Sequence, residues 1–281
     1  MKIFRKITDV RNEIKKRKEK GEIIGFVPTM GYLHKGHISL IKRAREENGV
    51  VVVSIFVNPT QFGPGEDFER YPRDEKRDTE ILEKENVDIV FIPDTRQMYK
   101  EEHKTWVYVE KYSEILEGDF RPGHFKGVCT VVLKLFNIVQ PDRSYFGWKD
   151  AQQLIIIKKM VEDLNIPVEI IGCPTVREED GLAASSRNVY LSKKEREKAI
   201  CLYKALKKIE EMVKDGIVET KKLIEEGKKV IKEAEGVKLQ YLKIVDIENL
   251  KEVKKAGKNT IVLGAIKIGN VRLIDNILLD R

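Results

Sequence analysis

Residues 23–57 decide the fold: Ile23-Ile24-Gly25-Phe26-Val27, then Pro28-Thr29-Met30-Gly31-Tyr32-Leu33-His34-Lys35-Gly36-His37, then a helical stretch to Glu47, then Val50-Val51-Val52-Val53-Ser54-Ile55-Phe56-Val57. The first and last pieces are continuous apolar runs without alternation, as in a strand covered on both faces. Between them Ile38, Leu40, Ile41 and Ala44 recur at a helical period. A strand, a crossover helix and a second buried strand make a right-handed βαβ unit, and hence a parallel sheet.

The same alternation continues on either side. Thr8 is placed to cap a helix running to about Lys20, where Gly21 stops it. Pro72 to about Glu85 reads as a helix, Val87 to Ile92 as a strand and Phe125 to Val139 as a buried helix. Ser144 to Phe146 is a short strand, Ala151 to Leu164 a helix and Val168 to Ile171 a strand. Residues 1–175 are therefore expected to form a Rossmann-like α/β domain, an open parallel sheet with helices on both faces. Beyond Val176 the pattern changes. Two Lys/Glu-rich helices, Lys193 to Asp215 and Val218 to Glu235, precede strands at Leu239 to Val245, Thr260 to Ile268 and Val271 to Asp275. The last two flank Gly269-Asn270, a two-residue hairpin signal. Residues 176–281 are expected to form a smaller α+β domain of helices and antiparallel strands.

Composition narrows the function classes. The chain has 281 residues, 41% hydrophobic and 35% charged, with a net charge of +7 from 53 basic and 46 acidic side chains. That excess admits a polyanion patch, but Lys and Glu interleave at 193–198 and 221–229 as on a solvated helix face. Cys129, Cys173 and Cys201 lie far apart with no paired spacing, which speaks against a disulfide framework or a zinc ribbon. The longest apolar run, Val50 to Val57, falls far short of the ~20 residues that span a bilayer. The first twenty residues carry charges throughout and no apolar core of a signal peptide. A cytoplasmic protein with no membrane partner is expected.

Ligands of open parallel sheets bind beyond the carboxyl ends of the strands. The loop Pro28 to His37 follows the first strand there and opens a helix, whose N-terminal amides and positive potential suit a phosphate. His34 and His37, two of four histidines, stand three apart around Gly36, so both rings fall on one side of the first turn. They can then donate hydrogen bonds to a phosphoryl centre and its leaving group. Chance surface histidines and metal ligands are the competing readings, though no H-E-x-x-H or cysteine partner adjoins them. His37-Ile38 in place of Lys-Ser/Thr rejects a P-loop. The loop Asn58 to Gly65 brings Asn58 and Gln61 to the second strand's end, either for a small polar substrate or as a plain turn. Gly147 to Gln153 offers Lys149 to phosphate and Asp150 to ribose, or is an ordinary helix start. Arg177 to Asn188, with Ser185, Ser186 and Arg187, is a phosphate clamp or an exposed loop. His124 in Arg121-Pro122-Gly123-His124-Phe125 reads as structural or helix-capping, and Asp78 as a surface ion-pair residue or, less readily, a metal-side carboxylate.

Taken in order, Pro28-Thr29-Met30-Gly31, Ile55-Phe56-Val57-Asn58-Pro59-Thr60-Gln61-Phe62, Arg121 to Phe125, Lys149-Asp150-Ala151-Gln152-Gln153 and Ser185-Ser186-Arg187-Asn188 resemble the pantoate–β-alanine ligases, an adenylate-forming family of the H-x-G-H nucleotidyltransferase superfamily. The resemblance runs from about Gly25 to Ser192. It implies a two-step reaction: pantoate attacks Mg·ATP to give pantoyl adenylate and pyrophosphate, and β-alanine then displaces AMP. By motif, Met30, Gly31, Tyr32, Leu33, His34, Lys35, Gly36 and His37 would bind ATP, as would Gly147, Trp148, Lys149, Asp150, Val176, Ala184, Ser185, Ser186 and Arg187. His37, His34 and Lys149 would be catalytic. Gln61 and Gln153 would hold pantoate, and Gln61 would also face β-alanine. No Mg²⁺ ligand is assigned, and residues 176–281 would act as a lid. The resemblance further implies a homodimer that takes small-molecule substrates and no nucleic acid. Ala184 stands where the family usually has Met, and Tyr32 where Ala is common. Two rivals remain at this point: another H-x-G-H nucleotidyltransferase, or an RNA-binding relative of the class I synthetases.

Overall fold

The computed structural model describes residues 1–279. The chain divides into two compact units, Met1–Gly147 with Ile156–Pro174, and Trp148–Ile155 with the chain from Thr175 onward.

The first unit holds β1 (Lys2–Phe4), α1 (Ile7–Lys18), β2 (Ile24–Thr29), α2 (Lys35–Glu47), β3 (Val50–Ile55), α3 (Glu75–Lys84) and β4 (Ile89–Phe91). It continues through the short helices α4 (Thr95–Met98) and α5 (Glu117–Phe120) to α6 (His124–Val139), β5 (Arg143–Gly147) and β6 (Glu169–Cys173). Helix α7 (Ala151–Asp163) precedes β6, and its residues up to Ile155 group with the second unit. The six strands form one sheet in the order β1-β4-β3-β2-β5-β6, every pairing parallel. All six residues of β3 are buried, which explains its unbroken Val run. Val27, Val51 and Val53 pack with Leu40, Ile41 and Ala44 of α2. Phe26, on the alternate face, meets the edge of the Phe136 ring of α6 at 6.5 Å. Helices thus cover both faces, and the expected Rossmann-like architecture is present. The strand order reverses direction between β2 and β5, so their carboxyl ends, Thr29 and Gly147, flank the crevice where such sheets take ligands.

The second unit carries α8 (Lys193–Lys214) and α9 (Thr220–Lys232) on an antiparallel sheet ordered β7-β8-β9, with β7 Val237–Asp246, β8 Thr260–Ile268 and β9 Val271–Leu278. Leu202, Ala205, Ile209, Leu223 and Ile231 of the helices bury against Leu242, Ile244, Val262 and Ile266 of the sheet. Ser192 and Glu195 form a reciprocal capping box that starts α8. The pairing Ile268↔Val271 closes the expected hairpin around Gly269-Asn270. Among the interleaved charges, Lys229 pairs with Glu226 on the surface of α9 at 2.7 Å.

Candidate active site

The loop after β2 is tighter than its sequence suggests. Helix α2 starts at Lys35, and His34 is its N-cap. The His34 Nδ1 accepts the Gly36 N–H at 3.1 Å, and the His37 Nδ1 accepts the His34 N–H at 3.3 Å. This is a capping box built from two imidazoles, and their centroids lie 4.0 Å apart. With each Nδ1 acting as acceptor, the proton of each neutral ring resides on Nε2. Two Nε2–H donors are what an anionic phosphoryl group needs. Of the N-terminal amides of α2, the Gly36 N–H is taken by the His34 ring.

Asp78, on α3, holds the same loop from outside. Its Oδ2 accepts the Tyr32 N–H at 2.6 Å and its Oδ1 the Leu33 N–H at 2.8 Å. Arg77 donates to the Leu33 carbonyl at 2.8 Å and lies 5.0 Å over the Tyr32 ring. Gly31 sits at φ +77°, and a Cβ there would come within 2.9 Å of Asp78 Oδ2. Asp78 is only 1% exposed, so the ion pair expected of it, made with Arg77 at 3.4 Å, is not a surface one, and both of its oxygens also serve backbone amides. Burial raises its pKa, and the Leu33 and Tyr32 amides oppose that shift.

Gln61 ends a 3₁₀ turn, Pro59–Gln61, after β3 and is buried. Its Oε1 accepts from Asn58 Nδ2 at 3.1 Å, and its Nε2 reaches the Met30 sulfur at 3.1 Å. Asn58, the other candidate in this loop, is consumed by structure. Its Nδ2 also donates to the Gly127 carbonyl, and its Oδ1 accepts from the Thr60 hydroxyl. A Cβ on Gly127 would lie 2.3 Å from the Thr60 carbonyl oxygen, so only glycine lets α6 approach this turn. The Gln61 carbonyl takes hydrogen bonds from His124 Nδ1 at 2.8 Å and Arg121 at 3.3 Å. Arg121 also donates to both oxygens of Glu66 at 2.7 Å, and to His124 Nε2 at 3.1 Å. Burial, reinforced by the Arg121 charge, pushes His124 down to about 4 and keeps the ring neutral. Burial alone would raise the Glu66 carboxyl, but Arg121 outweighs it and the net shift is downward. His124 therefore serves structure, as its sequence context suggests, although the cap of α6 is Gly123.

In the second unit, Trp148–Asp150 form a 3₁₀ turn ahead of α7. Lys149 Nζ lies 3.3 Å from Asp150 Oδ1. Gln153 is half-buried in the first turn of α7, with no side-chain hydrogen bond among the described residues. Val176 to Ala184 is a narrow hairpin, not an open loop. Arg177 bridges Ala183, Glu178 N–H meets the Leu182 carbonyl, and Ala184 N–H meets the Val176 carbonyl at 2.9 Å. The Ser185 hydroxyl then caps the 3₁₀ turn Ser186–Tyr190 by accepting the Arg187 N–H. Ala184 and Ser186 are buried. Among the described residues no three His, Cys, Asp or Glu side chains converge as metal ligands, and no helix is long and apolar enough to cross a membrane.

The family model for pantoate–β-alanine ligases matches residues 2–278. A pantothenate synthetase of Thermotoga petrophila is 55% identical over 99% of this chain and 100% of its own, and one of Aquifex aeolicus is 55% identical over 98% and 97%. A crystal structure of pantothenate synthetase from Thermus thermophilus superposes with a TM-score of 0.96 at 45% identity, covering both chains fully. A pantoate–β-alanine ligase from Francisella tularensis, complexed with β,γ-ATP and β-alanine, has a TM-score of 0.81 at 39% identity over 99% of this chain and 98% of that one. Agreement in sequence and fold along the whole chain shows that it belongs to the pantoate–β-alanine ligase family.

Proposed function

We propose that His34 and His37 meet the charge that develops on ATP when pantoate is adenylated, and that Gln61 and Gln153 orient the acid. The overall activity is the ATP-dependent condensation of pantoate with β-alanine to pantothenate, AMP and pyrophosphate. In the first step a pantoate carboxylate oxygen bonds to the α-phosphorus as the bridge to the β-phosphate breaks and pyrophosphate leaves. In the second, the β-alanine amine attacks the acyl carbon, AMP departs, and the nitrogen loses a proton to give the amide. A carboxylate is a poor electrophile, so adenylation supplies the leaving group.

The observation that carries the assignment is the imidazole pair, 4.0 Å apart with both Nδ1 atoms engaged by the chain's own amides. Rings so locked need no reorganisation as charge builds on the pyrophosphate oxygens. His37 is assigned as the proton donor and His34 as its partner. Met30 to His37 are proposed to line the ATP phosphates. Lys149 is proposed as a third catalytic group on phosphate, with Gly147, Trp148 and Asp150 on the nucleotide and Asp150 near ribose. Val176 is assigned to adenine, and Ala184, Ser185, Ser186 and Arg187 to the phosphates. Gln61 faces β-alanine as well as pantoate. The nucleotide and β-alanine in the Francisella complex support these ligand classes.

Mg²⁺ is proposed to arrive with ATP, held chiefly by its phosphates. The donor set fits that role: no carboxylate cage forms among the described residues, and Asp78 spends both oxygens on amides. The family resemblance supports a homodimer, testable by light scattering. The three free cysteines, all buried, suit a reducing cytoplasm. The assay is product identity from ATP, Mg²⁺ and pantoate with and without β-alanine. AMP, pyrophosphate and pantothenate in equal amounts, with sustained turnover only when β-alanine is present, are expected. ADP and phosphate would overturn the scheme.

A further inference from the structure

Two consecutive residues of β9, Asp275 and Asn276, are both polar and both buried, at 6% and 5% exposure. Such groups are costly in a sheet unless every polar atom finds a partner. Here the partners are informative. Asn276 Nδ2 donates to two successive carbonyls, Trp148 at 2.8 Å and Lys149 at 2.9 Å. One amide group, with two hydrogens, thus grips the backbone of the 3₁₀ turn that carries Lys149 and Asp150. Asp275 accepts a bidentate pair from Arg177, at 2.6 and 2.9 Å. Arg177 stacks at 4.1 Å on the Tyr203 ring and donates to the carbonyls of Gly181 and Asn276. The Asn276 amide N–H returns to Asp275 Oδ1 at 2.8 Å, so the two residues also fix one another.

A lysine ammonium is a point charge on a flexible four-carbon stem, and its reach depends on where the backbone starts. The Asn276 amide ties the backbone of the turn Trp148–Asp150 to β9. Arg177 sits at the base of the hairpin that leads into Ala184–Arg187. We propose that Asn276 is a positioning residue that sets Lys149 and Asp150 for the nucleotide, while the Arg177–Asp275 pair fixes the Val176–Ala184 hairpin from the same strand. This inference rests on the nucleotide role given above to Lys149.

The test is a double-mutant cycle of Asn276→Ala with Lys149→Ala, read as kcat/KM for ATP and KM for β-alanine, with melting temperatures alongside. Misplacement of about an ångström can cost up to 10²-fold, so Asn276→Ala is expected to lower kcat/KM for ATP by about 10–100-fold. KM for β-alanine should stay within about 3-fold. In the Lys149→Ala background the further loss should shrink below about 3-fold, because residues acting through one another are not additive. Asn276→Asp, which keeps the shape but removes both donors, should resemble Asn276→Ala. Should Asn276→Ala fail to fold, Asn276→Ser keeps one hydroxyl donor and should show a smaller loss, still selective for ATP. Equal losses for both substrates, or the full loss persisting without Lys149, would overturn the proposal alone. Unaltered ATP kinetics in Lys149→Ala would overturn the role of Lys149 and the proposal together.

Discussion

The helix start at His34–His37 and the turn at Trp148–Asp150 are both assigned to phosphate, yet they are built in opposite ways. The first is fixed by ring-to-amide bonds spanning two and three residues. The second is anchored by an amide 127 and 128 residues downstream. A site of the first kind is written in a short motif, and its failure should be local and chemical. A site of the second kind depends on the sheet of the second unit being in register, and its failure should look like misplacement. The Gln61 turn lies between these extremes, with its carbonyl held from α6 by His124 and Arg121.

The largest effect should come from the local site. His37→Ala removes both a proposed donor and half of the capping box, and should cut the adenylation rate by about 10²–10³-fold. Single-turnover release of pyrophosphate measures this, and a loss under about 10-fold would take His37 out of the chemistry. The middle case should show in acid. His124 is held near 4 in the fold against an ordinary 6.5. A depressed pKa means that the unfolded chain binds the proton first. Stability is therefore full above about pH 6.5 and lost as pH falls toward 4, by up to about 3 kcal/mol. Urea unfolding across that window should show the slope, and His124→Gln should flatten it; an unchanged slope would place the acid sensitivity elsewhere.

Asp78→Asn puts an amide donor opposite one of two buried N–H groups, and should cost about 1–3 kcal/mol while weakening ATP use. Equilibrium denaturation alongside KM for ATP checks this, and a variant as stable as the parent would contradict the loop-holding role. Gln61→Ala should have the smallest effect, about tenfold on KM for pantoate or β-alanine, with KM for ATP within about 3-fold. A loss confined to ATP would put Gln61 in the wrong pocket.

These contrasts also explain what the sequence could disclose. The buried parallel strands were legible because a run such as Val50 to Ile55 has no polar face to offer water. β1 escaped because its three residues sit at the sheet edge, mostly exposed, with no pattern to read. Helix α1 starts after Lys6 without a side-chain cap, so the capping sense of Thr8 pointed two residues too far in. Histidine is outside the usual N-cap set, which moved the expected start of α2 from Lys35 to His37. His34, His37 and Gln61 were found through local motifs. Asp78, Arg121, Asp275 and Asn276 were not assigned their roles, because each acts on a partner at least 45 residues away, and no spacing rule encodes a contact made by the fold. Short-range signals name the groups proposed to meet the ligand. The groups that hold them in place emerge only with the sheet order.

The central claim is that pantoate is adenylated before β-alanine takes part. It is tested most directly by exchange of labelled pyrophosphate into ATP with pantoate present and β-alanine absent. The account predicts exchange that requires pantoate and drops about 10²-fold or more in His37→Ala. Exchange that appears only when β-alanine is added, or that His37→Ala leaves intact, would contradict it.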